Sequence, residues 1–279
     1  MIDYRSQLRR EGTARTSLPE FVVSSAVRSF DGGERCGDMV FVLPLDSGRK
    51  AIVVIDIAGH GLARAPLSSA IAEAISEALQ GDASPSVALQ GADELLQTFE
   101  DESPYAVAFV AVVHPAVRTV VYASAGHDVA FTLADDGRIR HLMPTAPMLG
   151  IPLRNHACDA TFVLDPTETL VVATDGVGDS RAAGSDHFFG AGATARAVAR
   201  SLRSGNDPAR AVLEAAYAHG GDYLADDAAA VIVRVPPQQR CFTADLQFHP
   251  IRKALPFRRV GARGKELQRL LGEFACKLG

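Results

Sequence analysis

Residues 36–61 read CGDMVFVLPLDSGRKAIVVIDIAGHG, and this stretch decides the fold. MVFVLPL and KAIVVIDI are runs of β-branched and apolar residues, the composition of strands. Asp46-Ser47-Gly48 between them is a hairpin signature. The second run ends in Ala58-Gly59-His60-Gly61, and a helix is expected beyond it. In SSAIAEAISEALQ, Ile71, Ile75 and Leu79 recur every four residues until Gly81 stops the pattern. A second helix fits residues 85–99, with Val87, Leu89, Leu95, Leu96 and Phe99 apolar.

Working outward, FVVSSAVRSF (21–30) reads as a strand before a break at Asp31-Gly32-Gly33. Residues 1–18 are polar, with Arg5, Arg9, Arg10 and Arg15, and read as an arm or a short helix packed by Leu8. Downstream, YAVAFVAVVH and RTVVYASAG are strands. DVAFTLADDGRIRHL is a hairpin around Asp135-Asp136-Gly137, and ATFVLDP and TLVVATDG are two further strands. Helices fit residues 191–202 and 208–218, and AAAVIVRV closes the series before Pro236-Pro237.

The order is three strands, two helices, about five strands, two helices and one strand. Tight turns between consecutive strands require antiparallel sheets. Helices in pairs, not after each strand, argue against a doubly wound parallel sheet. Two sheets packed face to face with helix pairs outside satisfy the pattern, an α+β class.

Composition bounds the rest. Of 279 residues, 47% are hydrophobic and 22% charged, which suits a packed core and excludes global disorder. The longest apolar run, residues 106–113, is too short for a bilayer span of about 20 residues. The N-terminal residues do not read as a signal peptide. Cys36, Cys158, Cys241 and Cys276 are too scattered for a disulfide framework or a CxxC zinc pair, which points to a reducing, cytoplasmic compartment. The formal charge of -5 is uneven: residues 236–279 carry nine Lys/Arg against three acids, +6, so the body carries -11.

Four acidic sites share one feature, an Asp at the end of a strand or in the turn beside it: Asp38, Asp56, Asp175 and the pair Asp226-Asp227. Any one alone is what a turn uses. Together, at the rims of apolar strands, such carboxylates repel unless a cation neutralises them. Hard oxygen donors of this kind suit Mg²⁺ or Mn²⁺.

The segment 36–61 resembles the metal-dependent serine/threonine phosphatase family, closest to its bacterial SpoIIE/RsbU/RsbX branch. That branch typically reads Gly-Gly-Asp and, eighteen residues later, Asp-Val-Ser-Gly-His-Gly; Asp38 and Asp56 are eighteen apart. The family's Ala-Asn-Ala-Gly-His is matched by Ala123-Ser124-Ala125-Gly126-His127, its Thr-Asp-Gly-Val by Thr174-Asp175-Gly176-Val177, and its closing Asp-Asp by Asp226-Asp227. The match covers residues 21–235. It implies a four-layer α-β-β-α sandwich over residues 19–235, and two Mn²⁺ or Mg²⁺ ions. Asp56 would bridge them, and the carbonyl of Ile57 would contribute. Asp175 and Asp226 would complete the site, Asp38 would be a ligand or an acceptor behind the ligands, and Asp227 a neighbour that bonds metal-held water. A metal-activated water would attack phosphorus in line. Three departures stand out: Cys36 replaces the first Gly, Val40-Phe41 replaces an aromatic-Asp pair, and Ala229 replaces a Thr.

Other residues have two readings each. His60 reads as the general acid for the leaving oxygen, or its ring caps the next helix or packs locally. His127 orders a loop between strands, or acts directly. Cys36 is a buried structural thiol, or a redox-sensitive one. Arg181 is a solvated helix residue, or meets substrate phosphate. In the tail, Leu267, Leu270, Leu271, Phe274, Ala275 and Leu278 share one helical face over residues 264–278, for packing on its own domain or for docking a partner or second copy. The tail lacks an aromatic stacking pattern, so nucleic acid is not expected, nor is a membrane.

The expected function is a phosphoserine/phosphothreonine protein phosphatase. The resemblance implies anti-sigma antagonist (STAS) or stressosome-type substrates in stress signalling. The rivals are an inactive scaffold that binds a phosphoprotein, and a hydrolase of small phosphoesters.

Overall fold

The structure, a computed structural model, describes residues 11–17, 21–30, 32, 36–57, 65–99, 104–151, 157–182 and 184–235. The chain divides into two units, Met1–Pro237 and Gln238–Gly279. The second, with the expected helix at 264–278, lies outside the described residues, as does His60.

Among the described residues, eleven strands and five α-helices follow in order: β1 Glu11–Ser17, β2 Val22–Arg28, β3 Met39–Pro44, β4 Lys50–Ile57, α1 Ala65–Gln80, α2 Pro85–Leu96, β5 Ala106–His114, β6 Thr119–Ala125, β7 Ala130–Ala134, β8 Ile139–His141, β9 Ala160–Val163, β10 Glu168–Ala173, α3 Asp175–Gly178, α4 Gly190–Ser204, α5 Pro208–His219 and β11 Ala228–Arg234. One sheet runs β1-β2-β11-β10-β7-β8 and the other β3-β4-β5-β6-β9. Every strand pair in both sheets is antiparallel. The deciding hairpin forms as its sequence requires. Ser47 and Gly48 take φ of 60° and 72°, and Met39 lies opposite Ile55.

Residues 11–17, expected within the polar arm, instead form β1 along the whole of β2. Backbone hydrogen bonding to an open sheet edge needs no apolar pattern, so hydropathy does not reveal such a strand. The helix expected over residues 85–99 ends at Leu96, and the backbone of residues 97–99 closes it in a turn. Among the described residues no helix is long and apolar enough to cross a membrane.

Three cores stack through the domain. Strand alternation sends Ile52 and Val54 of β4 into the middle one, while Val53 and Ile55 face α1 and α2. Leu170 and Val172 of β10 and Val231 and Val233 of β11 face that middle core from the other sheet. Val171, Ala230 and Ile232 face α4 and α5. Phe21, Phe109 and Leu164 are fully buried between the sheets. The α5 helix is fixed to β2 because Ser24 Oγ donates to Asp207 Oδ1 (2.7 Å), and the same carboxylate caps the helix at the N–H of Arg210.

Candidate metal centre

The alternation that fills the layer between the sheets also builds the site at one end of it. In β4 the inward positions run Ile52, Val54 and then Asp56. In the segment entering β3 they run Val42, Val40 and then Asp38. In β10 they run Leu170, Val172 and then Thr174, and in β11 they run Val233, Val231, Ala229 and then Asp227. The antiparallel registers Met39↔Ile55 and Ala173↔Ala230 bring these ends together within each sheet. Asp175 and Asp226 stand in the adjoining turns.

Hydrogen bonds tie these ends to one another. Thr174 Oγ1 donates to Asp38 Oδ2 at 2.5 Å and accepts from the N–H of Ala229 at 2.8 Å. Asp227 accepts from the N–H of Phe30 (3.0 Å) on one oxygen and from the N–H of Gly37 on the other. Its own N–H donates to Asp226 Oδ1 at 2.8 Å. Gly176 allows this closeness, because a Cβ there would collide with the Asp227 carbonyl.

Among the described residues, the electrostatics of the site are those of crowded acids. Burial, then the charges of Asp175 and Asp226, push Asp56 up to about 8. Burial and the Asp56 charge raise Asp38 well above the carboxylate range, against the Thr174 hydrogen bond. Burial and Asp226 raise Asp175. Among the described residues, the charges that raise these three groups are those of carboxylates. Among the described residues no three acidic, His or Cys side chains are already gathered as a ligand set. The donor chemistry still fits a divalent cation: buried oxygen donors whose mutual repulsion positive charge would relieve.

Asp38, Asp56, Asp175, Asp226 and Asp227 are thus brought together, and Ile57 follows Asp56 at the end of β4. Asp227 has both oxygens held by backbone N–H groups, so it serves as a strut between β11 and the segment that presents Asp38. Thr174 is a site residue that the sequence reading did not single out; its place one residue before Asp175, in step with Val172, was the available signal. Cys36 lies beside the acids, and burial followed by the charges of Asp38 and Asp227 pushes its thiol up. His127 is buried in the middle layer, 6.1 Å from the Phe109 ring, and burial lowers it to about 4, so the ring is neutral. Ser124 Oγ donates to the His127 carbonyl, in keeping with the loop-ordering reading. Arg181 is not on a helix: it forms a bridge with Phe188 and its guanidinium lies 5.0 Å over that ring.

Comparison with known proteins places this architecture. The family model described as Stage II sporulation protein E (SpoIIE) matches residues 46–236. Phosphoserine phosphatase RsbP of Bacillus subtilis (strain 168) is 25% identical over 178 residues, which span 60% of this chain and 44% of RsbP. The chain therefore spans less than half the length of that relative. The RsbU and RsbW domains of Rv1364c from Mycobacterium tuberculosis superpose with a TM-score of 0.64 at 21% identity, covering 78% of this chain and 62% of that one. RsbX, solved in complex with magnesium, gives a TM-score of 0.59 at 14% identity, covering 81% of this chain and 100% of that one.

Proposed function

This chain belongs to the Stage II sporulation protein E (SpoIIE) family, and from that premise we propose that it is a divalent-cation-dependent phosphoserine/phosphothreonine protein phosphatase. The observation that carries the reading is the convergence of five aspartates at one end of the layer between the sheets, where among the described residues the charges that raise Asp38, Asp56 and Asp175 are those of other aspartates. Asp56, Asp38, Asp175, Asp226 and the Ile57 carbonyl would hold two Mn²⁺ or Mg²⁺ ions. When bound, such ions supply Lewis acidity, lowering the pKa of water and offsetting charge on the phosphoryl oxygens.

The chain's own residues do the positioning. Thr174 fixes one oxygen of Asp38 and ties it to β11. Asp227 holds the segment at Gly37 against the turn that carries Asp226. Asp175 begins the short α3 helix, whose next residue, Gly176, lies against the carbonyls of Asp226 and Asp227. We assign the general acid to His60 on its position in the sequence motif. The substrate in this reading is a phosphorylated protein of the STAS or stressosome type; the name of RsbP, a phosphoserine phosphatase, supports the phosphoserine, and the STAS or stressosome class rests on the family resemblance.

A second reading, a scaffold that binds a phosphoprotein without turnover, draws on the missing acid at Val40-Phe41 and on the absence, among the described residues, of a pre-gathered ligand set. One assay separates the two. The phosphatase reading expects hydrolysis of p-nitrophenyl phosphate with Mn²⁺, reduced about 10³-fold or more by Asp56→Asn. No hydrolysis with any divalent cation would establish the scaffold.

A further inference from the structure

Tyr105 stands half exposed, at 50%, immediately before β5. Its surroundings hold it there. The backbones of Ala106 and Leu149 exchange two hydrogen bonds, 3.1 and 2.8 Å. Gly150, at φ +85°, packs so closely on Pro104 and Tyr105 that a Cβ would collide with the Pro104 carbonyl. Gly150 is in turn bonded through its N–H to Asp93 of α2 at 2.6 Å.

The register then locates Tyr105 relative to the acids. Asp56 lies opposite Val107 and Ile57 opposite Ala106. Ala106 packs toward the helices, so alternation puts Tyr105 on the other face, with Val107 and Phe109. That is the face on which Asp56 lies. Two residues of strand span about 7 Å and paired Cα atoms lie about 5 Å apart, so the Tyr105 Cα is roughly 8–9 Å from that of Asp56. At that separation, on the same face, the ring stands beside a substrate held at Asp56.

Resting on the phosphatase reading, we propose that Tyr105 is a specificity-determining residue whose ring packs on an apolar side chain next to the phosphoserine of the substrate. A ring that keeps half its surface in water gains by covering such a group, and the contact acts on binding of the protein substrate, not on the chemical step.

The test uses the full chain with Mn²⁺ and three probes: p-nitrophenyl phosphate and two phosphoserine peptides that differ only in Leu or Gly beside the phosphoserine. The expected result is a wild-type preference for the Leu peptide of about tenfold in kcat/KM. Tyr105→Ala removes that preference through KM, and Tyr105→Phe retains it. Equal use of the two peptides by the wild type overturns the inference, as does a preference that survives in Tyr105→Ala or is lost in Tyr105→Phe. A wild type inactive on all three probes overturns the phosphatase reading itself, and this inference with it.

Discussion

The middle of the layer between the sheets and its acidic end are built from the same faces of the same strands. In the middle, Val54, Phe109, Val172 and Val231 are all buried and apolar. One alternation further along β4 the residue is Asp56, and the continuations of β10 and β11 bear Thr174 and Asp227. The middle gains stability by removing apolar surface from water; the end loses it by crowding carboxylates. One fold therefore contains a region built for stability and a region held in place by it.

The largest expected effect lies in the apolar half. Phe109 is fully buried and stacks on Tyr122 with ring centroids 5.4 Å apart. Phe109→Ala is expected to destabilise the domain by about 3–5 kcal/mol in urea unfolding. A loss under about 1 kcal/mol would mean that the layer is not the packed core described. At the junction of the two regions, Gly176→Ala drives a methyl group into the Asp227 carbonyl. The expected cost is about 1–3 kcal/mol, with a fall in Mn²⁺ affinity measured by calorimetry. Unchanged affinity would show that the approach of the two turns does not set the site.

A smaller effect comes from His127, a polar group inside the apolar half. Its pKa is lowered from 6.5 to about 4 by burial. The unfolded chain therefore binds the proton more readily, and the stability this neutral ring contributes is present above about pH 6.5 and lost as pH falls toward 4. Unfolding free energies measured across that window should fall less steeply for His127→Gln than for the wild type. Equal slopes would place the ring in contact with water.

Much of this fold was legible in the sequence because most strands alternate and the turns carry Gly or Asp. The hairpin at Asp46-Ser47-Gly48 and the helix from Pro208 are examples. β1 was not legible, since a strand added to a free edge owes its existence to its partner. Of the site, the aspartates were legible as strand-end acids and by family resemblance. The Thr174–Asp38 bond was not, because it joins positions 136 residues apart and depends on the packing of two sheets. The same holds for the two backbone bonds that turn Asp227 into a strut.

Thermal unfolding with and without Mn²⁺ decides whether the acidic end holds a divalent cation. Mn²⁺ is expected to raise the Tm of the wild type, and Asp56→Asn to lose most of this rise. Without added cation near pH 8, Asp56→Asn is expected to melt no lower than the wild type, because a crowded buried acid has been removed. A wild-type Tm indifferent to Mn²⁺, or an equal rise in Asp56→Asn, would contradict a cation site there.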